Sequence, residues 1–323
     1  MNTKSIGIIG NGKMAVDCIN HMLEYEKAQV KFFIYDAEKN SSSESSYKLF
    51  SEKGIEVKAV SQINSLEALR IVKNHQPDFL FSINNFKIIR NELMDIPKIG
   101  TINFHNSPLP LYGGVNIPSW VIINGEKNHG VTWHFINSGI DTGDIIAQKI
   151  FPIDADITAG RLMAICIMEG ISLFKNIFLK ILNNEYKRRP QEGKSSYYSL
   201  KDFPENKGII DFNWRYEKIE RMVRGLNFLP FENTFVYPVI STSQGRIVIN
   251  KVSKVADNND PLNSGKIVRT DGDFQITCAD AVIRIDEAMT EDLEEVEAKD
   301  IPKRLGIIEN IKAETLSGYL PQK

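Results

Sequence analysis

Asn103 and His105 stand two residues apart in Thr101-Ile-Asn-Phe-His-Asn-Ser-Pro-Leu-Pro-Leu-Tyr-Gly-Gly114. Read as a strand, the start of that run sends the carboxamide and the imidazole out on one face, because side chains alternate. A polar pair at the end of a strand in an open sheet lies where ligands usually bind. Pro108 and Pro110 force an extended exit, and Gly113-Gly114 leaves its end flexible. A second segment, Gly130-Val-Thr-Trp-His-Phe-Ile-Asn-Ser-Gly-Ile-Asp-Thr-Gly-Asp144, carries Asp141 in a glycine-flanked turn from which its carboxylate could approach His105. Together the three side chains can supply an oxyanion donor (Asn103), a general acid or base (His105) and an orienting or proton-accepting carboxylate (Asp141). Asp144 reads as a turn residue. The competing reading of His105 is a strand-end ring satisfied by a backbone carbonyl, and spacing alone does not choose.

His129 and His134 lie close by in sequence, but no HxH or HExxH spacing joins them, so no metal is expected. Near the start, Gly10-Asn-Gly-Lys-Met-Ala15 follows an apolar run and opens a helical pattern, with Asp36 24 residues after Gly12. Glycines that admit a pyrophosphate and an acid that holds a ribose would make this a dinucleotide fingerprint. A tight strand-to-helix turn needs the same glycines with no ligand present. An NAD-dependent oxidoreductase and a purely structural turn both fit at this point.

The elements that must position these residues follow from periodicity. Residues 5–10, 30–36, 79–83 and 101–105 read as strands, 12–24 and 66–74 as helices, and 40–46 as a polar loop. Strands alternating with helices predict a parallel sheet covered on both faces. Residues 131–136 and 144–151 are the next strands, and apolar residues at 165, 166, 173, 177 and 181 mark one face of a helix. A polar stretch from Arg188 to Lys207 is the expected domain junction. Beyond it come a helix at 216–225 and strand-like runs at 235–240, 246–255, 265–269, 274–278 and 281–285, the pattern of a small barrel or sandwich.

The chain has 323 residues, 41 acidic against 39 basic, which suggests two domains and argues against a protein that grips nucleic acid mainly by charge. Cys18, Cys166 and Cys278 are scattered and odd in number, so they read as free buried thiols in a reducing compartment. The long apolar stretch 162–182 contains Glu169, Lys175 and Lys180, which makes it a soluble helix rather than a membrane span. The expected location is the cytoplasm, with no membrane partner.

Asn103-Phe-His105-Asn-Ser-Pro-Leu-Pro, with Gly130-Val-Thr-Trp-His-Phe and Gly139-Ile-Asp-Thr-Gly-Asp144, is similar to the formyltransferases that use 10-formyltetrahydrofolate. Members of that family formylate methionyl-tRNA, nucleotide sugars and amino-acid derivatives. The later Gly208-Ile-Ile-Asp-Phe and Ile219-Glu-Arg-Met-Val-Arg-Gly-Leu resemble the entry to the family's C-terminal domain. The resemblance implies a Rossmann-like, mostly parallel α/β catalytic domain over residues 1–200 and a small β-rich, OB-like domain over 201–323. It implies 10-formyltetrahydrofolate as formyl donor, neither metal nor NAD, and a structural role for the early glycines. Asn103, His105 and Asp141 would be catalytic. Cofactor contacts would come from the loop after strand 79–83 (Ser82, Asn84, Phe86, Ile88) and from the turn carrying the aspartate (Asn137, Gly139, Asp141). The first loop departs from the aromatic-glycine version commoner in the family.

The resemblance also bears on the acceptor. The loop 107–116 departs from the arginine-bearing loop of the tRNA enzymes, and the catalytic wording is closer to branches linked to peptide natural products. Those act on hydroxyornithine or on an aminoacyl group tethered to a carrier. An amine of an amino-acid derivative, free or carrier-bound, is therefore the expected acceptor. A nucleotide-linked amino sugar is the alternative, then methionyl-tRNA; a hydrolase on the same fold would use water. Tyr112, Asn116 and Trp120 follow the catalytic strand, where an aromatic ring can cover a base or an aminoacyl chain, although Trp120 reads equally well as core. Lys187-Arg-Arg, Arg221 and Arg224 read as solvated surface, and a homodimer is compatible with the sequence.

Overall fold

The computed structural model describes residues 3–39, 44–269 and 272–307. In chain order the first part runs β1 (Lys4–Gly10), α1 (Gly12–Met22), β2 (Ala28–Asp36), α2 (Glu44–Glu52), β3 (Glu56–Val60), α3 (Leu66–His75), β4 (Phe79–Ile83), α4 (Asn91–Met94) and β5 (Gly100–His105). The two-residue β6 (Gly113–Gly114), α5 (Ile117–Ile123), β7 (Asn128–Phe135), β8 (Ile145–Pro152), α6 (Ala159–Leu182) and the short β9 (Tyr197–Tyr198) follow. Seven strands form one sheet in the order β3-β2-β1-β4-β5-β7-β8. The five from β3 to β5 are parallel, and β7 and β8 close the sheet antiparallel. The expected mostly parallel α/β sheet is present.

Its centre is apolar on both faces, as a helix-covered parallel sheet requires. All five residues of β4 are buried, and so are Ile6, Ile8 and Ile9 of β1. On α1 the buried Met14, Ala15, Cys18, Ile19 and Met22 recur at helical spacing. Helix α6 covers the sheet with Phe174 and Phe178, whose rings meet Phe81 edge-on, while Trp133 of β7 donates from Nε1 to the Gly170 carbonyl at 3.0 Å. By length and composition this helix could cross a membrane, yet its inner face is core. That face differs from the expected one: Phe174 and Phe178 join Cys166, Ile177 and Ile181, while Ile165 and Leu173 are only half-buried. A helix apolar nearly all round does not declare its inner face by periodicity.

Three sequence expectations change here. The strand at 79–83 is the fourth in the chain, because Glu56–Val60 forms an additional edge strand whose charged alternation hides it. The polar loop is shorter than 40–46, since α2 begins at Glu44 and buries Tyr47 and Phe50; residues 40–43 lie outside the described residues. Helix α5 after the glycine pair has no expected counterpart.

The chain forms two compact units. The first runs to Val115 and adds Asn128–Pro152 and Ala164–Tyr198; the second comprises Asn116–Lys127, Ile153–Met163 and the chain from Ser199 onward. Helix α5 belongs to the second because it packs on α7 (Tyr216–Leu226), where a Cβ on Gly225 would stand 2.8 Å from Ile123. The second unit also holds β10 (Val239–Ser241), β11 (Arg246–Asp257), β12 (Ile267–Arg269), β13 (Phe274–Thr277), β14 (Ala281–Met289), β15 (Glu295–Val296) and α8 (Ile301–Arg304). They make an antiparallel sheet in the order β10-β11-β14-β13-β12, with β15 on β14. Ile219, Met222, Val223 and Leu226 of α7 pack into its core with Ile247, Ile249, Ile283 and Ile285. The strand expected at 235–240 is confined to its last residues, since Pro238 has no N–H for the ladder.

Candidate active site

Antiparallel pairing of β5 with β7 sets His134 opposite Asn103 and Thr132 opposite His105. Parallel pairing with β4 sets Ser82 on the other side of Asn103. Tertiary register therefore gathers Ser82, Asn103, His134, His105 and Thr132 on neighbouring strands. His105 meets both of its sequence readings at once. Its Nε2 lies 2.9 Å from the Tyr112 carbonyl, which can only accept, so Nε2 carries a hydrogen. Its Nδ1 faces Asp141 Oδ2 at 3.7 Å, close enough for charge attraction and too long for a direct hydrogen bond.

Asp141 is brought in by backbone. It sits at φ 54 in the loop after β7, and its Oδ2 accepts the Gly114 N–H at 2.8 Å. Gly114 itself, at φ 99, runs so close to the second strand of its pair that a Cβ would fall 1.9 Å from the Tyr198 carbonyl oxygen. Only glycine allows that approach. The other carboxylate oxygen lies 3.8 Å from His134 Nε2, so the acid stands between two imidazoles.

His134 is the residue that sequence reasoning weighed only as a metal ligand. Its Nδ1 lies 2.8 Å from the Phe135 carbonyl and must donate to it. In the neutral ring Nε2 is then an acceptor, and Asn103 Nδ2 donates to it at 3.2 Å. That bond orients the Asn103 carboxamide and leaves the second Nδ2 hydrogen for another acceptor. Nothing in the sequence reveals the pairing, because it depends on the register between two strands. Among the described residues no three His, Cys, Asp or Glu side chains are grouped so as to hold a metal ion.

The His134 and His129 rings are both buried, and loss of hydration pushes each down to about 4; the Asp141 charge opposes this at His134, and His105 adds to it at both. Each unfolded ring takes up a proton near its ordinary 6.5. As pH falls from there toward 4 the unfolded chain binds protons that the folded chain refuses, so stability falls, by about 3 kcal/mol per ring at pH 4. The expected result is a stability loss between pH 7 and 5 that His129→Gln makes shallower in urea titrations. An unchanged slope would show that His129 does not contribute.

The remaining expected site residues are placed as follows. Ser82 is buried, with Asn85 Nδ2 at 3.4 Å from its hydroxyl. Asn84, at φ 51, and Asn11 each donate from Nδ2 to the other's carbonyl at 3.3 Å. The loop beyond presents Phe86 and Ile88, exposed by 58% and 64%, while Asn64 accepts from the Arg90 N–H and donates to the Ile88 carbonyl. Asn137 Oδ1 accepts from the Gly139 N–H and the Thr142 hydroxyl, which closes the aspartate turn. The Tyr112 ring is buried against Tyr198, so its carbonyl rather than its ring meets the site. Within the second unit, Asn116 caps α5 at φ 57 and Trp120 lies buried against Phe235.

The early glycine turn is occupied by the protein itself. The Gly12 N–H, which would face a pyrophosphate, donates to the Tyr47 hydroxyl at 3.0 Å. Asn11 Oδ1 accepts the Asp36 N–H at 3.0 Å, and Asp36 Oδ1 accepts from Glu38 N–H. These bonds tie the turn after β1 to the end of β2 and to α2.

With this geometry in place, comparison with known proteins gives a consistent result. A formyl transferase family model matches residues 27–174, and the formyl transferase C-terminal domain matches 204–305. A methionyl-tRNA formyltransferase of Ruminiclostridium cellulolyticum is 30% identical over 251 residues, 77% of this chain and 78% of its own length. One of Clostridium perfringens is 33% identical over 214 residues, 64% of this chain and 65% of its own. Among solved structures, an N-formyltransferase of Helicobacter canadensis, crystallised with folinic acid and dTDP-3-aminofucose, is 25% identical at a TM-score of 0.63, covering 88% of this chain and 99% of its own. A sugar 3N-formyl transferase solved with dTDP and 5-N-formyl-THF shares the fold at 24% identity and a TM-score of 0.63, over 88% of this chain and 98% of its own.

Proposed function

This chain belongs to the formyl transferase family, and we propose that it is an N-formyltransferase that uses Asn103, His105 and Asp141 to move a formyl group onto an amine of an amino-acid derivative, free or carrier-bound. The observation that carries the reading is the free second hydrogen on Asn103 Nδ2, held in place by His134 beside the His105–Asp141 pair. The donor set fits a formyl-folate: one fixed amide hydrogen, one imidazole and one carboxylate. Phe86 and Ile88, exposed on the loop after β4, supply apolar surface for its rings. 10-Formyltetrahydrofolate supplies an activated formyl carbon.

Asn103 then donates to the formyl oxygen as negative charge grows there, and His105 donates to the same oxygen as a protonated ring. The Asp141 carboxylate, 3.7 Å from His105 Nδ1, stabilises that imidazolium and takes, directly or through a water, the proton shed by the attacking amine. The new C–N bond forms as the donor's C–N bond breaks; His105 gives its proton to the departing nitrogen, and the proton that Asp141 took from the amine passes to His105.

For the acceptor, the sequence wording favours an amino-acid derivative. A nucleotide-linked amino sugar is the second reading, favoured by the Helicobacter canadensis enzyme and its bound dTDP-3-aminofucose. Methionyl-tRNA is what the named relatives act on. Residues 201–323 carry 17 basic against 21 acidic side chains, which weighs against a tRNA as the first choice. The cytoplasm, where folate cofactors and free thiols coexist, is the proposed location.

The test is tetrahydrofolate release from 10-formyltetrahydrofolate, run against hydroxyornithine, aminoacyl carrier mimics, nucleotide amino sugars and methionyl-tRNA. Product mass should rise by one formyl group on the amino-acid arm. Turnover confined to the sugar or tRNA arm would move the acceptor, and formate release without any acceptor would make the protein a hydrolase.

A further inference from the structure

Residues 189–198 form a strap that crosses the aspartate loop and then pairs with the glycine pair. At its start Arg189 and Ile145 exchange two backbone hydrogen bonds, at 2.8 and 2.9 Å. At its end β9 runs parallel to β6: the Gly113 N–H donates to the Ser196 carbonyl at 2.9 Å and the Val115 N–H to the Tyr198 carbonyl at 2.9 Å. The Ser196 hydroxyl accepts the Tyr112 N–H at 2.8 Å, which fixes the peptide unit preceding the carbonyl that holds His105. Between these anchors lies Gln191. Its Nε2 is 2.7 Å from the Asp141 carbonyl and 2.8 Å from the Gly143 carbonyl. Both partners can only accept, so both amide hydrogens are spent on them.

We infer that Gln191 is a positioning residue for Asp141: it ties down the peptide units of a left-handed turn so that the carboxylate stays between His105, His134 and the Gly114 N–H. The turn has need of it. Asp141 adopts φ 54, which costs a non-glycine residue, and its own peptide unit and that of Gly143 are the ones that would rotate on relaxation. The same strap fixes Gly114, the donor on the far side of the carboxylate, through Tyr198. One segment thus sets the distance between the acid and its anchor from both ends. Its catalytic consequence rests on the role proposed for Asp141; its structural part does not.

The experiment is amide hydrogen exchange by NMR on the full chain, with steady-state kinetics alongside, for Gln191→Ala, Gln191→Glu and Gln191→Lys. The Gly114 amide reports the Asp141 carboxylate, the Gly113 amide reports attachment of the strap through Ser196, and β5 amides report global stability. Alanine, and glutamate with the same shape but no donor, are expected to speed Gly114 exchange at least about tenfold while Gly113 and β5 are unchanged. In the same variants kcat should fall about 10- to 100-fold with KM values within about threefold, the size of effect expected from a small misplacement of a catalytic group. Lysine, which can donate to both carbonyls, should restore most of both signals. Unchanged Gly114 exchange, or loss at Gly113 and Gly114 together, would overturn the inference by reducing Gln191 to no role or to a structural tether. If the wild type transfers no formyl group, the functional reading falls, while the exchange pattern still decides whether Gln191 positions the acid.

Discussion

His105→Ala should lower kcat by about a thousandfold and leave a folded protein. A positioned acid–base group is worth about 10²–10⁴ in rate, and this ring also supplies charge to the oxygen. The geometry explains why more than the lower end of that range is expected. Nε2 is already committed to the Tyr112 carbonyl at 2.9 Å, so the ring cannot turn away from its place. Asp141 Oδ2, at 3.7 Å from Nδ1, stabilises the protonated ring without holding it in a direct bond that the reaction would have to break. Removing the ring leaves the Tyr112 carbonyl without that donor and opens a small void, together a cost of about 1–3 kcal/mol. Thermal melts should therefore shift by several degrees while single-turnover formyl transfer falls about a thousandfold. Near-normal turnover would remove His105 from the chemistry and leave it as a strand-end ring.

What could be read in the sequence follows the range of the forces involved. The alternation along 101–105 placed Asn103 and His105 on one face because strand geometry is local, while the glycine-flanked turn only allowed Asp141 to approach His105; the Gly114 N–H that anchors it there was not legible. The long buried strands and amphipathic α1 were equally legible, since burial on a regular element repeats at its own period. The edge strand Glu56–Val60 was not, because an edge carries charge on the same residues that would otherwise mark a strand. His134 and Gln191 were invisible for a different reason. The first acquires its partner from the antiparallel register of β5 and β7, the second from a strap that returns 50 residues later to two carbonyls. Neither register nor return path has a signature in residue type. Tyr112 shows the converse: its ring drew attention, and its carbonyl is what meets the site.

That contrast makes Asn103 the second large effect and gives it a test that separates donor from support. Asn103→Ala should cost about a hundredfold or more in kcat, the loss typical of one donor to a developing oxyanion, about 3 kcal/mol. His134→Ala removes no group aimed at the oxygen. It frees the Asn103 carboxamide to rotate, because the lone pair at Nε2, fixed by the Nδ1–H bond to Phe135, is what turns Nδ2 toward the sheet. A loss of about tenfold is expected, smaller than for Asn103 and carried by kcat. The two are then strongly non-additive, as residues acting through one another must be. In the Asn103→Ala background His134→Ala should cost less than about twofold, since no carboxamide remains to orient. Independent, multiplying losses would instead give His134 its own contact with the reacting atoms, through the Nε2 that already lies 3.8 Å from Asp141.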